Sequence, residues 1–178
     1  FKKELKFMDY VIVHPGCGDS APNLNEKQYK LIISLLLEKT ECVVLLTGVS
    51  AEENLVNKLA ADFPEERVKK TVGRFSLVEL FFVIRNALLL IASSTGPLHM
   101  ANAAGTPLLG FFCPAKPHTP NRWGPYDQQQ WVVTPKLDGP EICELKNCPH
   151  GGCLNQLSDN EITDILCTQR LKTIQNES

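Results

Sequence analysis

Short runs of consecutive apolar residues alternate along the chain with longer stretches in which apolar residues recur every three or four positions. The runs predict β-strands, and in chain order they read DYVIVHPG, ECVVLLTG, VKKTVG, LLLIASS, TPLLGFF and QWVVTP. The longer stretches predict α-helices, and they are NEKQYKLIISLLLEKT, AEENLVNKLAADF, SLVELFFVIRNA and residues 96–104. Strands that are apolar throughout are buried on both faces. The pattern therefore predicts an α/β fold, a Rossmann-like parallel sheet with helices on both faces.

Capping residues mark where several of the helices begin. Asn25 is a suitable N-cap for the first long helix, and Ser76 with Glu79 forms a capping-box pattern before a later one. Ser158 with Glu161 repeats that pattern near the end of the chain and predicts a closing helix.

The regular pattern is lost beyond the last of the long apolar runs. Residues from about 113 to 157 are rich in proline and polar groups and predict a long ordered loop region, and the closing helix is expected over 158–175. The chain has 178 residues, of which 43% are hydrophobic, which is enough for one domain with a buried core. We expect residues 1–178 to form a single domain.

Composition and charge exclude several classes of function. The formal net charge of -2 lacks the basic excess of a nucleic-acid-binding surface, so no nucleic-acid partner is expected. The longest apolar stretch, LFFVIRNALLLIA, is interrupted by Arg85 and Asn86 and is too short to span a membrane. The first residues contain too few consecutive apolar positions for a signal peptide. We therefore expect a cytoplasmic protein.

The seven cysteines are an odd number, which argues against a complete disulfide framework and favours a reducing compartment. Cys143, Cys148 and Cys153 are separated by four residues each, with His150 between the last two. Zinc sites normally show tighter cysteine pairs, so thiols are the default interpretation and no metal is predicted. The alternative is a loop tethered by a disulfide or by a metal on these four residues.

The segment SSTGPLHMANAAG lies where a predicted strand ends and a helix begins. The unpaired N–H groups and the dipole of that first turn form a site for an anion, and Gly96 lets a phosphate approach the backbone. Pro97 suits a first turn, and His99 is close enough in sequence to reach the same anion. The alternative is an ordinary capped helix whose small residues pack on the sheet.

Two further loops follow predicted strands. In HPGCGDS, Gly16 and Ser20 could present backbone N–H groups to a diphosphate, although the loop matches neither the Walker pattern nor GxGxxG. In TGVSAEEN, Glu52 or Glu53 could accept hydrogen bonds from a ribose diol, or could merely complement the helix dipole. Because ligands bind at the carboxyl ends of parallel strands, three such loops favour a ligand of nucleotide size.

The blocks VIVHPGCG, LLTGVSAEEN, GRFSLVELFFVIRNALLLIASSTGPLHMANAAGTPLLGFF and RWGPY occur in an order that resembles glycosyltransferase family 9, the lipopolysaccharide heptosyltransferases. The resemblance covers roughly residues 10–126 and corresponds to the C-terminal half of that family. It implies a GT-B architecture, in which two Rossmann-like domains enclose the active site. This chain would be the donor-binding domain, without the N-terminal acceptor domain that supplies the catalytic base, so no catalytic residue is expected here.

The resemblance also implies roles for individual residues. Thr95, Gly96 and His99 would hold the diphosphate, Glu52 would meet the ribose, and Phe75 would lie against the adenine. With the loops described above, the predicted donor-binding residues are Gly16, Ser20, Glu52, Phe75, Ser94, Thr95, Gly96 and His99.

The sequence departs from the family pattern at two places. Many members have Asp at the position of Ser94, and many have Lys where this chain has Pro22 or Asn23. Lys116 or Arg122 would then supply the missing positive charge for the phosphates. The alternative for the segment NRWGPY is a structural clasp at the edge of the core.

The expected activity is a metal-independent, inverting transfer of heptose or a related sugar from an ADP-sugar to a lipopolysaccharide core acceptor, without a cofactor. The lipid-linked acceptor would be bound through the other domain, with peripheral association at the inner membrane. Two alternatives are a nucleotide-sugar-binding module without transferase activity and another GT-B-like enzyme such as a sugar epimerase.

Overall fold

The computed structural model describes Leu5 and residues 8–18, 21–137, 142, 148 and 152–172. Its strands are β1 (Tyr10–His14), β2 (Val43–Leu46), β3 (Val68–Lys70), β4 (Leu89–Ser93), β5 (Leu108–Phe111) and β6 (Val132–Val133). Its helices are α1 (Glu26–Lys39), α2 (Glu53–Ala60), α3 (Leu77–Arg85), α4 (Gly96–Ala104), α5 (Pro120–Trp123) and α6 (Asp159–Thr163). Helix α6 continues as a π-helical segment over Asp164–Arg170.

All of these strands are parallel, and they lie in the order β3-β2-β1-β4-β5-β6. This is the strand order of a Rossmann fold, so the predicted fold class is confirmed. The order reverses between β1 and β4, and in such sheets the crevice beyond the carboxyl ends of those two strands is where ligands bind.

Every residue of β1, β2, β4 and β5 is buried, because both faces of the sheet are covered there. In β1, Val11 and Val13 belong to one buried cluster, whereas Tyr10 and Ile12 belong to a second cluster on the opposite face. Helix α1 contributes to the first cluster, and helices α3 and α4 contribute to the second. Burying one side chain of this size contributes about 1.5–3 kcal/mol, so the two clusters fix the register of the central strands.

The predicted helix starts are confirmed. Asn25 accepts a hydrogen bond from the N–H of Gln28, whose side chain bonds back to Asn25 and completes a capping box that was not predicted. Capping boxes of the predicted residues also precede α3 and α6. The closing helix is helical from Asp159 to residue 172, and residues 173–175 of the prediction lie outside the described residues.

The region after β5 is more regular than predicted, because it contains α5 as well as the predicted strand β6. The closing helix fastens this region to the sheet. The guanidinium of Arg170 lies 4.3 Å from the centre of the Trp131 ring and donates to Oε1 of Gln128 at 3.2 Å. Gln128 in turn donates to the carbonyl of Thr106, just before β5.

Across the part of the chain that the structure describes, no helix has the length and apolar character needed to cross a membrane.

Candidate functional site

A cavity of about 430 Å³ lies at the carboxyl edge of the sheet. His14 and Thr47 line it from the ends of β1 and β2, and Phe75 lines it from the loop before α3. Gly96 and Pro97, at the start of α4, complete the wall. Cavities of this size accommodate small organic ligands, and this one lies where a parallel sheet of this strand order binds them.

The start of α4 has an unsatisfied polar group. Thr95 is the N-cap residue, but its side chain makes no cap hydrogen bond. Its Oγ1 is buried without a hydrogen-bond partner within the described residues. An N-cap hydroxyl usually accepts a bond from the N–H of the second or third helical residue, and a buried polar atom without a partner is unfavourable. Thr95 is therefore an N-cap residue whose hydroxyl takes no part in capping the helix.

The space beside Gly96 is open. A Cβ atom built on Gly96 would have no atom within 4 Å apart from its chain neighbours and the backbone of its own helix, so the backbone there can be approached closely. His99 is exposed on the first turn of α4, and Ser94 is half-buried just before it. Ser94, Thr95, Gly96 and His99 thus lie around one helix start, and their role in binding an anion stays a prediction.

From their sequence positions, Glu52 and Glu53 are equal candidates for a contact to a ribose diol. Their surroundings in the structure differ clearly. Glu52 turns back toward the sheet, and its Oε2 accepts a hydrogen bond from the N–H of Val49 at 2.9 Å. Its carboxylate lies against Gly16, which is buried. Glu53 is exposed in the first turn of α2. Only Glu52 therefore faces the strand-end loops.

His14 belongs to the cavity wall and was missed by the sequence analysis, although it stands in the quoted motif HPGCG. It is 7% exposed, and its Nδ1 lies 2.9 Å from Oγ1 of Thr47. Burial lowers the pKa of His14, and the negative charge of Glu52 partly opposes that shift. The imidazole is therefore neutral at pH 7 and serves as a hydrogen-bonding group rather than a cation.

Asn23, one of the two residues at which the family lysine was expected, has a side chain that is engaged in hydrogen bonds. Its Nδ2 donates to the carbonyl of Pro15 at 2.7 Å. Its Oδ1 accepts from the hydroxyl of Tyr29 at 2.7 Å and from that of Ser93 at 2.6 Å. These bonds fasten the first strand-end loop to α1 and to the end of β4, so Asn23 holds the loop instead of bringing a charge to the site.

The two candidate cations lie in the loop after β5. Lys116 and Arg122 are both exposed, and the Arg122 guanidinium lies 5.2 Å from the centre of the Trp123 ring. The indole N–H of Trp123 donates to the carbonyl of Pro117 at 3.0 Å, a bond within the same segment, and the Trp123 side chain is exposed. A phosphate contact by Lys116 or Arg122 stays a prediction.

Three predicted positions, Ser20, Cys143 and His150, lie outside the described residues. Cys153 belongs to the first of the two buried clusters, and Cys148 is partly buried against that cluster. Among the described side chains, no group of three or more His, Cys, Asp or Glu residues is arranged to hold a metal ion.

Comparison with known proteins identifies the family of the chain. The model of glycosyltransferase family 9 (heptosyltransferase) matches residues 2–152. A Haemophilus influenzae protein named "Putative glycosyltransferase" is 36% identical over 116 residues, which are 65% of this chain and 34% of that protein.

Two solved structures from E. coli have the same fold. ADP-heptose lps heptosyltransferase II is 17% identical with a TM-score of 0.74, and the match covers 99% of this chain and 52% of that one. Heptosyltransferase WaaC with ADP is 21% identical with a TM-score of 0.68, over 89% and 43% of the two chains. The chain thus spans about a third to a half of the length of these relatives. Since the family model matches most of its residues, the chain belongs to glycosyltransferase family 9.

Proposed function

We propose that this chain is the donor-binding domain of an inverting glycosyltransferase that moves heptose, or a related sugar, from an ADP-sugar to a lipopolysaccharide core acceptor. The observation that carries the proposal is the start of α4, where the buried Oγ1 of Thr95 has no partner and the backbone of Gly96 is open. A diphosphate supplies the acceptor oxygens and the negative charge that this helix start lacks. The relative solved with ADP supports a nucleotide of this kind.

Each part of the donor has a place in this proposal. The diphosphate lies at the N-terminus of α4 with His99 beside it, the adenine enters the cavity against Phe75, and Glu52 meets the ribose. Negative charge develops on the departing diphosphate during transfer, and fixed N–H dipoles aimed at that charge stabilise the transition state. The reaction needs no cofactor and no metal in this account.

The remaining parts of the reaction belong to the longer protein. The carboxylate that acts as base and the contacts to the lipid-linked acceptor come from a second domain of the GT-B type. The enzyme would work in the cytoplasm, peripherally associated with the inner membrane.

A second candidate is a nucleotide-sugar-binding module without transferase activity. Two departures from the family pattern favour it: Ser94 stands where many members have Asp, and Pro22 or Asn23 stands where many have Lys. Transferase assays on the longer protein with ADP-heptose distinguish the two candidates, because only the enzyme releases ADP in the presence of an acceptor.

Isothermal titration calorimetry of the chain with ADP tests what both candidates share. We expect ADP to bind as strongly in the presence of EDTA as in the presence of magnesium, because the proposed diphosphate site consists of a helix N-terminus and a histidine and contains no metal. Binding that EDTA abolishes and magnesium restores contradicts that account. The absence of binding by any nucleoside diphosphate at millimolar concentrations overturns the donor-site proposal.

A further inference from the structure

The carboxylate of Glu52 lies directly against Gly16, the second residue after β1. A Cβ atom built on Gly16 would overlap the Cδ, Oε1 and Oε2 atoms of Glu52. Gly48, two residues after β2, is also close, since a Cβ atom there would lie 3.0 Å from Oε2 of Glu52. Glycines from two different strand ends therefore leave the space that this carboxylate occupies.

The backbone conformation does not require glycine at position 16. The described glycines with positive φ are Gly18, Gly73, Gly105 and Gly152, and Gly16 is not one of them. Alanine can therefore adopt the same backbone. The atoms that its methyl group would meet are the end of a flexible side chain, which can move aside. We expect Gly16→Ala to displace the Glu52 carboxylate and to leave the fold intact.

The carboxylate is held in one orientation. The N–H of Val49 donates to Oε2, and no other hydrogen bond to the Glu52 side chain is present among the residues that the structure describes. Oε1 is thus available as an acceptor, and the neighbouring residues Gly48 and Val49 line the cavity. A charged acceptor that is fixed before the ligand arrives forms stronger hydrogen bonds to a vicinal diol, because less ordering is required on binding.

We propose that Gly16 is the positioning residue for Glu52: its lack of a side chain keeps the carboxylate where it meets the ribose diol of the nucleotide. This inference rests on the proposed function. It gives Gly16 a role different from the backbone contact to phosphate that the sequence predicted.

A double-mutant cycle measured by calorimetry tests the proposal on the chain as it is. The variants are Gly16→Ala, Glu52→Ala and the two combined, each titrated with ADP and with 2′,3′-dideoxy-ADP, which lacks the diol. Loss of a hydrogen bond to a charged group weakens binding by about tenfold or more, so we expect that loss for ADP in both single variants. We expect a change of less than about twofold for dideoxy-ADP, and no additional loss in the combined variant.

Glu52→Asp provides a second test that leaves Gly16 untouched. It withdraws the carboxylate by one methylene, and we expect the same loss specific to ADP, with a melting temperature close to that of the wild type. Equal losses for the two nucleotides, or additive losses in the combined variant, overturn this inference while the donor site stands. A wild-type chain that binds neither nucleotide overturns the proposed function and the inference with it.

Discussion

Helices α3 and α4 begin differently, although a hydroxyl side chain precedes each of them. Ser76, before α3, accepts from the N–H of Glu79, whose carboxylate accepts from Ser76 in return. Thr95, before α4, makes no cap bond, and its Oγ1 is buried without a partner among the described residues. The start of α3 is therefore satisfied by its own residues, whereas the start of α4 buries a hydroxyl that is not. The contrast supports the proposal that a ligand completes the start of α4.

The largest expected effect comes from filling the open space at Gly96. Gly96→Val places a branched side chain where the phosphate would approach the backbone, and we expect the affinity for ADP to fall about a hundredfold or more. The melting temperature should change little, because no atom outside the chain neighbours and the backbone of α4 lies within 4 Å of the new Cβ. Calorimetry and a thermal melt measure both quantities, and ADP affinity that survives this change contradicts the phosphate site.

His99→Ala should weaken ADP binding by about ten- to a hundredfold, because it removes a hydrogen bond to a charged group. His99 is exposed, so the fold should keep its stability. AMP, which lacks the second phosphate, should lose less affinity than ADP in the same titrations. A variant with unchanged ADP affinity and a melting temperature lowered by several degrees would show that His99 has a structural role instead.

A comparison of Thr95→Val with Ser158→Ala distinguishes a role in ligand binding from a role in helix capping. Valine has nearly the shape of threonine without the unpaired hydroxyl, so we expect ADP affinity to fall about tenfold and the free energy of unfolding to stay level or rise. Ser158 completes a capping box far along the chain at α6. Its removal should lower the free energy of unfolding by about 1 kcal/mol and leave ADP affinity unchanged.

Urea denaturation and calorimetry on both of these variants measure the two effects. If Thr95→Val destabilises the fold as Ser158→Ala does, and binds ADP normally, the two helix starts are equivalent and the contrast is wrong.

The smallest expected effect concerns the pH dependence of stability. Burial lowers the pKa of His14 below its ordinary value of 6.5. The unfolded chain therefore takes up this proton before the folded chain does, so the stabilisation is present above about pH 6.5 and is lost as the pH falls through the lower, folded value. One proton changes the free energy of unfolding by at most about 1.4 kcal/mol per pH unit.

The variant His14→Asn should show a shallower loss of stability than the wild type between about pH 7 and pH 5. His99→Ala is the matched control, because His99 is exposed. Identical pH profiles for the wild type and His14→Asn would contradict the burial of a neutral imidazole beside Thr47.

The pattern of the sequence predicted the sheet and its helix starts because both depend on local rules. Residues that are apolar at every position of a strand require cover on both faces, and Ser158 three residues before Glu161 is a capping box wherever a helix follows. The segments around Thr95 and Gly96 could be placed at a strand end for the same reason.

What the sequence did not predict depends on residues that are distant along the chain. Glu52 and Glu53 are neighbours at the start of one helix, and the contact of the Glu52 carboxylate with the distant Gly16 distinguishes them in a way that their sequence positions do not. The bonds of Asn23 to Tyr29 and Ser93 join three segments, which no spacing rule anticipates. The burial of His14 likewise depends on residues that are distant in the sequence, such as Thr47 at the end of the neighbouring strand.

The contact between Arg170 and Trp131 has a practical consequence for where the chain can be shortened. Strand β6 is only two residues long. Gln128, which lies just before it, accepts a hydrogen bond from Arg170, which is 42 positions further along the chain, and this bond helps to hold the region around β6 against the sheet. A shortened chain that ended after β6 would retain all of the described strands and yet lose the guanidinium that lies over Trp131. We therefore expect truncation before Arg170 to leave more of the Trp131 ring in contact with water and to lower the free energy of unfolding.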